Sequence, residues 1–302
     1  MTDMQWKGVI PAVTTPFDAD QNVDHAFLAK HCKWLIENDC RGIVALGSLG
    51  EGATLEHDEK VAILETCVEA VGDKVPVVPG VAALSTRGAV RLAQDAARVG
   101  CKGLMVLPPY VHKGPFSEMQ GHFDAVFEAT DLSCMLYNNP IAYGTDVLPE
   151  TVQELAEKHA NLHAVKESSG DVRRITAIRA LVGDRLALFA GLDDVIFEAI
   201  QCGAVGWIAG LVNALPRESV DLFNLAAAGK TKEAFELYSW FLPLLRLDTV
   251  PEFVQLIKMV QQEVGMGNEN VRAPRKPLAG AAREAAFKTI RESLAARPAV
   301  AA

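Results

Sequence analysis

The feature that most constrains this chain is a regular alternation of short apolar runs with longer amphipathic stretches. Eight apolar runs follow one another over about 220 residues, and their side chains do not alternate between polar and apolar. Runs of this kind are typical of parallel strands that helices cover on both faces. The predicted strands are Gly8–Thr14, Gly42–Ala45, Val75–Gly80, Gly103–Leu107, Cys134–Tyr137, Leu162–Lys166, Ala187–Gly191 and Val205–Ile208.

Each predicted strand is followed by a stretch with the apolar periodicity of a helix. These predicted helices are Asp24–Asn38, His57–Val71, Thr86–Val99, Ser117–Ala129, Pro149–His159, Val172–Leu181, Val195–Cys202 and Pro216–Ala228. Eight β-then-α units predict an α/β fold of the (β/α)8 TIM-barrel type. A doubly wound sheet is the alternative, but no G-x-G-x-x-G motif follows the first strand.

The last part of the chain has helical patterns only, near Thr231–Leu245, Pro251–Val264 and Ala281–Ala295, with a proline-rich break at 273–277. We therefore predict a barrel with the active site in residues 1–230 and a C-terminal helical extension, residues 231–302, packed on it. The segment 240–245 is more apolar than one exposed helix should be. It either covers the barrel or lines a subunit contact, and the sequence leaves both alternatives open.

Composition excludes several classes of partner and site. The net charge of −9 disfavours nucleic acid and anionic membranes as partners. No apolar run approaches about 20 residues, and residues 1–7 lack the apolar segment of a signal peptide. The six cysteines form no C-x-x-C pair and the seven histidines no H-E-x-x-H motif. We expect a cytoplasmic protein with reduced thiols that uses no metal and no cofactor.

One lysine stands where a barrel places its chemistry. The run Leu162–Lys166 ends in Lys166, and functional residues of a barrel lie at the carboxyl ends of its strands. Burial lowers the pKa of a lysine, so an amine in this position can attack a carbonyl carbon. The alternative is a surface lysine at a strand end.

Other strand ends supply hydroxyl groups and flexible backbone. Tyr137 ends the preceding strand and would lie beside Lys166, where a phenol can pass protons to and from an imine. A glycine-rich segment, residues 47–52, follows the second strand and carries Ser48, and its backbone N–H groups can bind a carboxylate. Taken singly, Tyr137 and Tyr110 could be core or rim aromatics, and the glycine-rich segment an ordinary turn.

Several of these segments together resemble one family. The chain is similar over nearly its full length to the dihydrodipicolinate synthase / N-acetylneuraminate lyase family, whose members are metal-independent lyases with a lysine imine. The matching segments are Gly47-Ser48-Leu49-Gly50-Glu51, Leu107-Pro108-Pro109-Tyr110, Tyr137-Asn138-Asn139-Pro140, Val165-Lys166-Glu167-Ser168-Ser169-Gly170-Asp171 and Gly191-Leu192-Asp193-Asp194.

The resemblance implies a role for each matching residue. Lys166 forms the Schiff base with a 2-oxo acid, and Tyr137 is its acid and base partner. Ser48 takes the place of the relay hydroxyl, which is usually a threonine. Tyr110 resembles the tyrosine that reaches across a tight dimer interface, and the resemblance implies a homotetramer built as a dimer of dimers.

The chain departs from the family's synthases at two positions. Ala142, followed by Tyr143, stands where the synthases carry an arginine that holds a carboxylate of the second substrate. Leu49 stands in place of the second threonine of the usual pair, and its side chain makes the wall of the site more apolar. The predicted substrate-binding residues are Leu49, Asn139, Ala142, Tyr143, Asp194, Ile208, Gly210 and Asn213.

These departures predict a compact substrate without a distal carboxylate. Among the activities of the family, deamination of 1-pyrroline-4-hydroxy-2-carboxylate in hydroxyproline degradation fits them. Cleavage or dehydration of a sugar acid, of the N-acetylneuraminate lyase or 2-keto-3-deoxy acid type, is an alternative that yields pyruvate when a C–C bond breaks. Dihydrodipicolinate synthase activity and a catalytically silent barrel that binds metabolites are the remaining alternatives.

Overall fold

The computed structural model describes residues 4–298, in which short parallel strands alternate with helices. The strands are β1 (Gly8–Pro11), β2 (Ile43–Ala45), β3 (Val77–Val81), β4 (Gly103–Val106), β5 (Ser133–Asn138), β6 (Leu162–Glu167), β7 (Ala187–Ala190) and β8 (Gly206–Ala209). The helices are α1 (His25–Glu37), α2 (His57–Val71), α3 (Thr86–Val99), α4 (Phe116–Phe127), α5 (Pro140–Tyr143), α6 (Pro149–Lys158), α7 (Arg173–Val182), α8 (Ile196–Gln201), α9 (Pro216–Ala227), α10 (Thr231–Leu245), α11 (Phe253–Glu263) and α12 (Gly280–Ala295).

The eight strands form a barrel. Their order in the sheet is β1-β8-β7-β6-β5-β4-β3-β2, with each neighbouring pair parallel. A parallel bridge between Ala12 and Val44, and a 2.8 Å hydrogen bond from the Val13 N–H to the Val44 carbonyl, join β1 to β2. The predicted TIM barrel is therefore confirmed, and every predicted strand overlaps an observed one.

Local sequence signals explain where the outer helices begin and end. Asp24 caps α1 by accepting a 2.9 Å hydrogen bond from the Phe27 N–H, and Ser85 caps α3 in the same way from Gly88 at 3.2 Å. Gly100 ends α3 with a φ of 102°, a left-handed conformation that favours glycine. The strands themselves are almost wholly buried, as their continuous apolar runs predict.

The last three long helices pack on the barrel and on one another. In α10 the side chains of Phe241, Leu244 and Leu245 have no exposed surface. The Trp240 indole donates a 2.9 Å hydrogen bond to the Ser293 carbonyl of α12. Half of the apolar segment 240–245 is thus buried within the chain itself, while Pro243 stays exposed. Among the residues described, no helix combines the length and the apolar character that a membrane span requires.

Candidate active site

Lys166 and Tyr137 lie side by side at the carboxyl end of the barrel. They are direct register partners on β6 and β5. The Lys166 Nζ lies 4.2 Å from the centre of the Tyr137 ring, and each side chain is 6% exposed. The parallel pairing of two successive strands therefore brings a buried amine and a phenol together.

The surroundings of Lys166 favour a reactive amine. Burial lowers its pKa from 10.5 to about 8, although the carboxylates of Asp248 and Asp193 act in the opposite direction. A pKa of about 8 leaves roughly a tenth of the amine unprotonated at pH 7, about 300-fold more than an ordinary lysine has. Within residues 4–298 the Nζ makes no hydrogen bond to another side chain or carbonyl, so its lone pair is free to attack a carbon atom.

A group of hydroxyls adjoins the Tyr137 phenol. The Asn139 Nδ2 donates a 3.0 Å hydrogen bond to the Tyr137 hydroxyl. The Tyr143 ring meets the Tyr137 ring edge to face at 5.7 Å, and the Tyr143 hydroxyl makes a short hydrogen bond with Ser48 Oγ. Burial raises the pKa of both phenols, which keeps them protonated and able to donate. Tyr143 thus links Ser48 to the phenol beside the lysine.

Helix α5 explains how Tyr143 reaches this position. The sequence analysis did not predict this single turn. Asn139 caps it by accepting a 3.0 Å hydrogen bond from the Ala142 N–H, and Pro140 occupies its first position. Gly144 ends the turn with a φ of 74°. The turn places Ala142 and Tyr143 above the end of β5, on the wall of the site.

The loop after β2, residues 46–52, has a conformation suited to binding a carboxylate. Leu46 and Glu51 have left-handed φ values of 64° and 54°, uncommon for residues other than glycine. In the part of the chain that the structure describes, the N–H groups of Ser48 and Leu49 donate to no other group. Two free backbone donors next to Lys166 can bind the carboxylate of a 2-oxo acid.

A buried ion pair holds this loop in place. Lys258 Nζ lies 2.7 Å from Glu51 Oε1 and also donates to the carbonyls of Thr15 and Asn270, at 2.8 and 2.6 Å. The backbone N–H of Arg272 donates to Glu51 Oε2 at 3.0 Å. Residues of α11 and of the following segment therefore fix a loop that lies more than 200 positions earlier in the sequence.

A second carboxylate supports the floor of the site. The Asp193 Oδ1 accepts hydrogen bonds from the Trp207 indole and the Gly210 N–H, at 3.0 and 3.1 Å, and Oδ2 accepts one from the Leu211 N–H at 2.7 Å. Burial raises the pKa of Asp193 to about 6. At Gly191 a Cβ atom would lie 2.9 Å from Lys166 Cε, so only glycine leaves room for the lysine.

These groups open into one cavity of about 410 Å³. The predicted site residues that line it are Lys166, Tyr137, Ser48, Leu49, Asn139, Ala142, Tyr143, Ile208 and Gly210. A cavity of this volume matches a small metabolite. Within residues 4–298, no group of three or more His, Cys, Asp or Glu side chains is arranged to hold a metal ion.

Three other predicted residues lie outside this wall. Tyr110 packs its ring on Tyr143 at 5.6 Å and lies behind it. Asn213 is fully buried, and its amide donates to the carbonyls of Ala12 and Gly210 at 2.7 and 2.8 Å, which makes it a brace between β1 and β8. The Asp194 carboxylate lies 3.9 Å from Arg246, and the Asp194 carbonyl accepts a hydrogen bond from the Tyr238 hydroxyl.

Two charged residues that were not predicted from the sequence line the cavity, Asp248 and Arg275. Asp248 lies in the turn between α10 and α11, and Arg275 lies in the proline-rich break before α12. Both belong to the C-terminal segment, which was expected to pack on the barrel or to line a subunit contact. A signal was present, because Asp248 is the only acid in the stretch 240–250, which is otherwise mainly apolar.

Comparison with known proteins agrees with this geometry. A model of the dihydrodipicolinate synthetase family matches residues 5–293. The chain is 35% identical to a 4-hydroxy-tetrahydrodipicolinate synthase of Geotalea uraniireducens, covering 91% of this chain and 94% of that protein. It is 33% identical to the synthase of Geobacter metallireducens, with 92% and 96% covered.

Solved structures give the same result. A 4-hydroxy-tetrahydrodipicolinate synthase from Methylacidiphilum fumariolicum SolV superposes with a TM-score of 0.91 at 28% identity, covering 97% of this chain and 98% of that one. Dihydrodipicolinate synthase from Aquifex aeolicus has a TM-score of 0.90 at 27% identity, with 96% and 97% covered. The chain belongs to the dihydrodipicolinate synthetase family, and it is a lyase of that family.

Proposed function

We propose that the protein forms an imine between Lys166 and C2 of 1-pyrroline-4-hydroxy-2-carboxylate, and that it deaminates this compound. The observation that carries the proposal is the cavity wall around Lys166. Ala142 is apolar and stands in place of a carboxylate-binding arginine. On the side of the cavity that the C-terminal segment forms, the wall carries the carboxyl group of Asp248. Such a wall favours a hydroxyl over a second carboxylate at the far end of the substrate.

The proposed reaction begins at Lys166. The neutral amine attacks C2, the bond from C2 to the ring nitrogen breaks, and that nitrogen becomes a primary amine on C5. The substrate carboxylate binds the free N–H groups of Ser48 and Leu49. The protonated imine withdraws electrons, so a C3 proton can leave, and the Tyr137 hydroxyl passes its own proton along the group of hydroxyls as it takes this one up.

Elimination and hydrolysis complete the reaction. The C3 electron pair expels the C4 hydroxyl as water, which leaves an unsaturated imine. The amine then becomes a second imine as C5 and the amine nitrogen each lose a proton and C3 and C4 each gain one, and hydrolysis of that imine releases ammonia. Hydrolysis of the lysine imine then releases 2-oxoglutarate semialdehyde and restores Lys166. One water leaves and two enter, so the sum is substrate plus water giving semialdehyde plus ammonia.

A second candidate is 4-hydroxy-tetrahydrodipicolinate synthesis, and the names of the relatives support it more than they support the deaminase. The curated relatives compared above carry that name at 33 and 35% identity. Arg275 favours it too, because it lines the cavity and could pair with a distal carboxylate. Sugar-acid cleavage is a further candidate, since Asn139 lies at the cavity wall and can bind a hydroxyl.

A substrate panel separates these candidates. The purified enzyme is given the pyrroline compound, pyruvate with aspartate semialdehyde, and sialic and 2-keto-3-deoxy acids, with ammonia, cyclised product and pyruvate measured. We expect ammonia from the pyrroline compound and little product from the others. Rapid condensation with aspartate semialdehyde and no ammonia would assign the synthase instead. Saturable binding without any product would identify a silent barrel.

We also propose that the enzyme is a cytoplasmic homotetramer. The large apolar side chains of Leu84 and Val111 are 75% and 85% exposed. A 3.4 Å hydrogen bond from the Tyr110 N–H to the Ala83 carbonyl brings their two loops together. An apolar surface of this kind beside Tyr110 is suited to a second copy of the chain. Light scattering measures the assembly, and a fully active monomer would contradict it.

A further inference from the structure

Asp248 faces the reacting groups from a part of the chain that does not belong to the barrel strands. It ends the helical turn Arg246–Asp248 between α10 and α11. Its side chain is half-buried and lines the same cavity as Lys166 and Tyr137. Three neighbouring residues, Thr249, Val250 and Pro251, line that cavity as well. Asp248 and the three residues after it therefore form one wall of the cavity.

Gly210, directly after β8, leaves room for this carboxyl group. A Cβ atom on Gly210 would overlap the Asp248 carboxylate, so any side chain at position 210 would displace it. The Gly210 N–H is already bound to Asp193. Both carboxyl groups therefore lie against Gly210.

The two carboxyl groups differ in how they are bound. Both oxygens of Asp193 accept hydrogen bonds, from the Trp207 indole and from the backbone of Gly210 and Leu211. In residues 4–298 no group donates a hydrogen bond to Asp248. A carboxyl group that faces a cavity without an internal partner is available to a ligand. The Asp193 carboxylate is fully hydrogen-bonded within the protein, whereas the Asp248 carboxyl group is not.

We propose that Asp248 is a catalytic acid that protonates the substrate's C4 hydroxyl as it leaves. The cavity then selects 2-oxo acid equivalents that carry a hydroxyl on C4. This inference rests on the proposed imine at Lys166. The C4–O bond breaks, its electron pair stays on oxygen, and the Asp248 proton completes the water molecule. The carboxylate then takes the proton that leaves C5, which restores the acid.

The charges around Asp248 agree with this role. Burial and the nearby carboxylates of Asp193 and Asp194 raise the pKa of Asp248 well above its usual range, while Lys166 lowers it. The other charged side chain on the cavity wall is Arg275, which lies 3.8 Å from Glu51. A raised pKa makes a carboxyl group a more available proton donor for a leaving hydroxyl.

The test compares Asp248→Asn with the wild-type enzyme in two reactions. Borohydride trapping of pyruvate at Lys166 measures imine formation, and ammonia release from 1-pyrroline-4-hydroxy-2-carboxylate measures elimination. We expect trapping within about threefold of wild type and a fall in ammonia release of at least about 100-fold, the range of a lost general acid. Asp184→Asn removes an exposed carboxylate far from the cavity and is the matched control, with both rates unchanged.

A substrate with a better leaving group isolates the acid function. Fluoride leaves without protonation, so the 4-fluoro analogue should react with Asp248→Asn at a rate within about fivefold of wild type. A structural or purely electrostatic role would slow both substrates, and trapping, equally, and that result would overturn the inference. Unchanged ammonia release in Asp248→Asn would overturn it as well.

The two proposals fail in different ways. If the wild-type enzyme releases no ammonia but dehydrates another 4-hydroxy-2-oxo acid, the deaminase assignment is rejected. Asp248→Asn must then slow that dehydration at least about 100-fold. If the wild-type enzyme eliminates a hydroxyl from none of these compounds, the role of Asp248 is overturned too.

Discussion

Two buried lysines in this chain each lie over an aromatic ring, but they differ in their partners, and we propose a catalytic role for only one of them, Lys166. Lys166 is 6% exposed, with Nζ 4.2 Å from the Tyr137 ring centre, and Lys258 is 2% exposed, with Nζ 4.6 Å from the Phe17 ring centre. Lys258 is bound by Glu51 and by two backbone carbonyls. Lys166 has no such partner among the described residues. Hydrogen-bonding partners, rather than burial, distinguish a structural lysine from a nucleophile.

The pKa values show the same contrast. Burial lowers the pKa of both lysines. For Lys258 the adjacent carboxylate of Glu51 counteracts burial through charge and through a hydrogen bond. For Lys166 the opposing carboxylates are Asp248 and Asp193, and neither is hydrogen-bonded to it. Lys258 is therefore held in place by its partners, while Lys166 has no hydrogen bond that would hold its proton.

Replacing Lys166 should have the largest effect on activity. Lys166→Ala removes the nucleophile, so we expect kcat to fall by at least about 10⁴-fold, as for other covalent catalysts. Borohydride with a 2-oxo acid should then add no mass to the protein. The free energy of unfolding should not fall, because an unpaired buried amine costs stability. Retained turnover or retained trapping would contradict the assignment of Lys166.

Replacing Lys258 should instead lower the free energy of unfolding. Lys258→Met leaves Glu51 buried without its partner, and breaking a buried pair in this way costs about 3–5 kcal/mol. Denaturant titration measures the loss. The double variant Glu51→Gln/Lys258→Met is the control, and it should recover part of the stability because no charge stays unpaired. A stable but inactive Lys258→Met protein would mean that the two lysines are less different than the structure indicates.

Removing the hydroxyl of Tyr137 separates the ring contact from the proton transfer. Tyr137→Phe keeps the ring under Lys166, so trapping of the imine should persist. The phenol that receives the C3 proton is lost, and we expect kcat to fall by about 10²- to 10³-fold. Exchange of the pyruvate methyl protons with deuterium, followed by NMR, checks the step directly. If Tyr137→Phe exchanges these protons as fast as the wild-type enzyme does, another group carries out the proton transfer.

The pH dependence of imine formation should give the smallest change. Only the neutral amine attacks, and a pKa of about 8 predicts that the trapping rate rises about tenfold between pH 7 and pH 9 and levels off above that range. A lysine with an ordinary pKa of 10.5 would give a rise of about 100-fold over the same interval without a plateau. The rate of trapping with pyruvate at saturating borohydride distinguishes the two profiles.

The barrel and one side of its site could be predicted from the sequence, because both follow from local patterns. Apolar runs located the strands, and the strand order placed Tyr137 beside Lys166. The wall of the cavity that the C-terminal segment forms could not be predicted, since Asp248 reaches Gly210 through the packing of α10 and α11. Lys258 and Glu51 are 207 positions apart, and no short-range pattern signals such a pair. Asn213 and Asp194 were assigned to the substrate because strand ends alone do not tell which way a side chain points.

The binding of Glu51 by Lys258 and Arg272 has a consequence for the synthesis of the protein. All eight strands precede residues 258–272 in the chain, yet the loop that we propose to bind the substrate carboxylate is fixed by those residues. A nascent chain can form its barrel as its N-terminal part emerges, but it still lacks the groups that hold this loop in its strained conformation. We therefore expect the enzyme to become competent only when its last part has been translated, and a chain that ends early to have Lys166 but no completed substrate site.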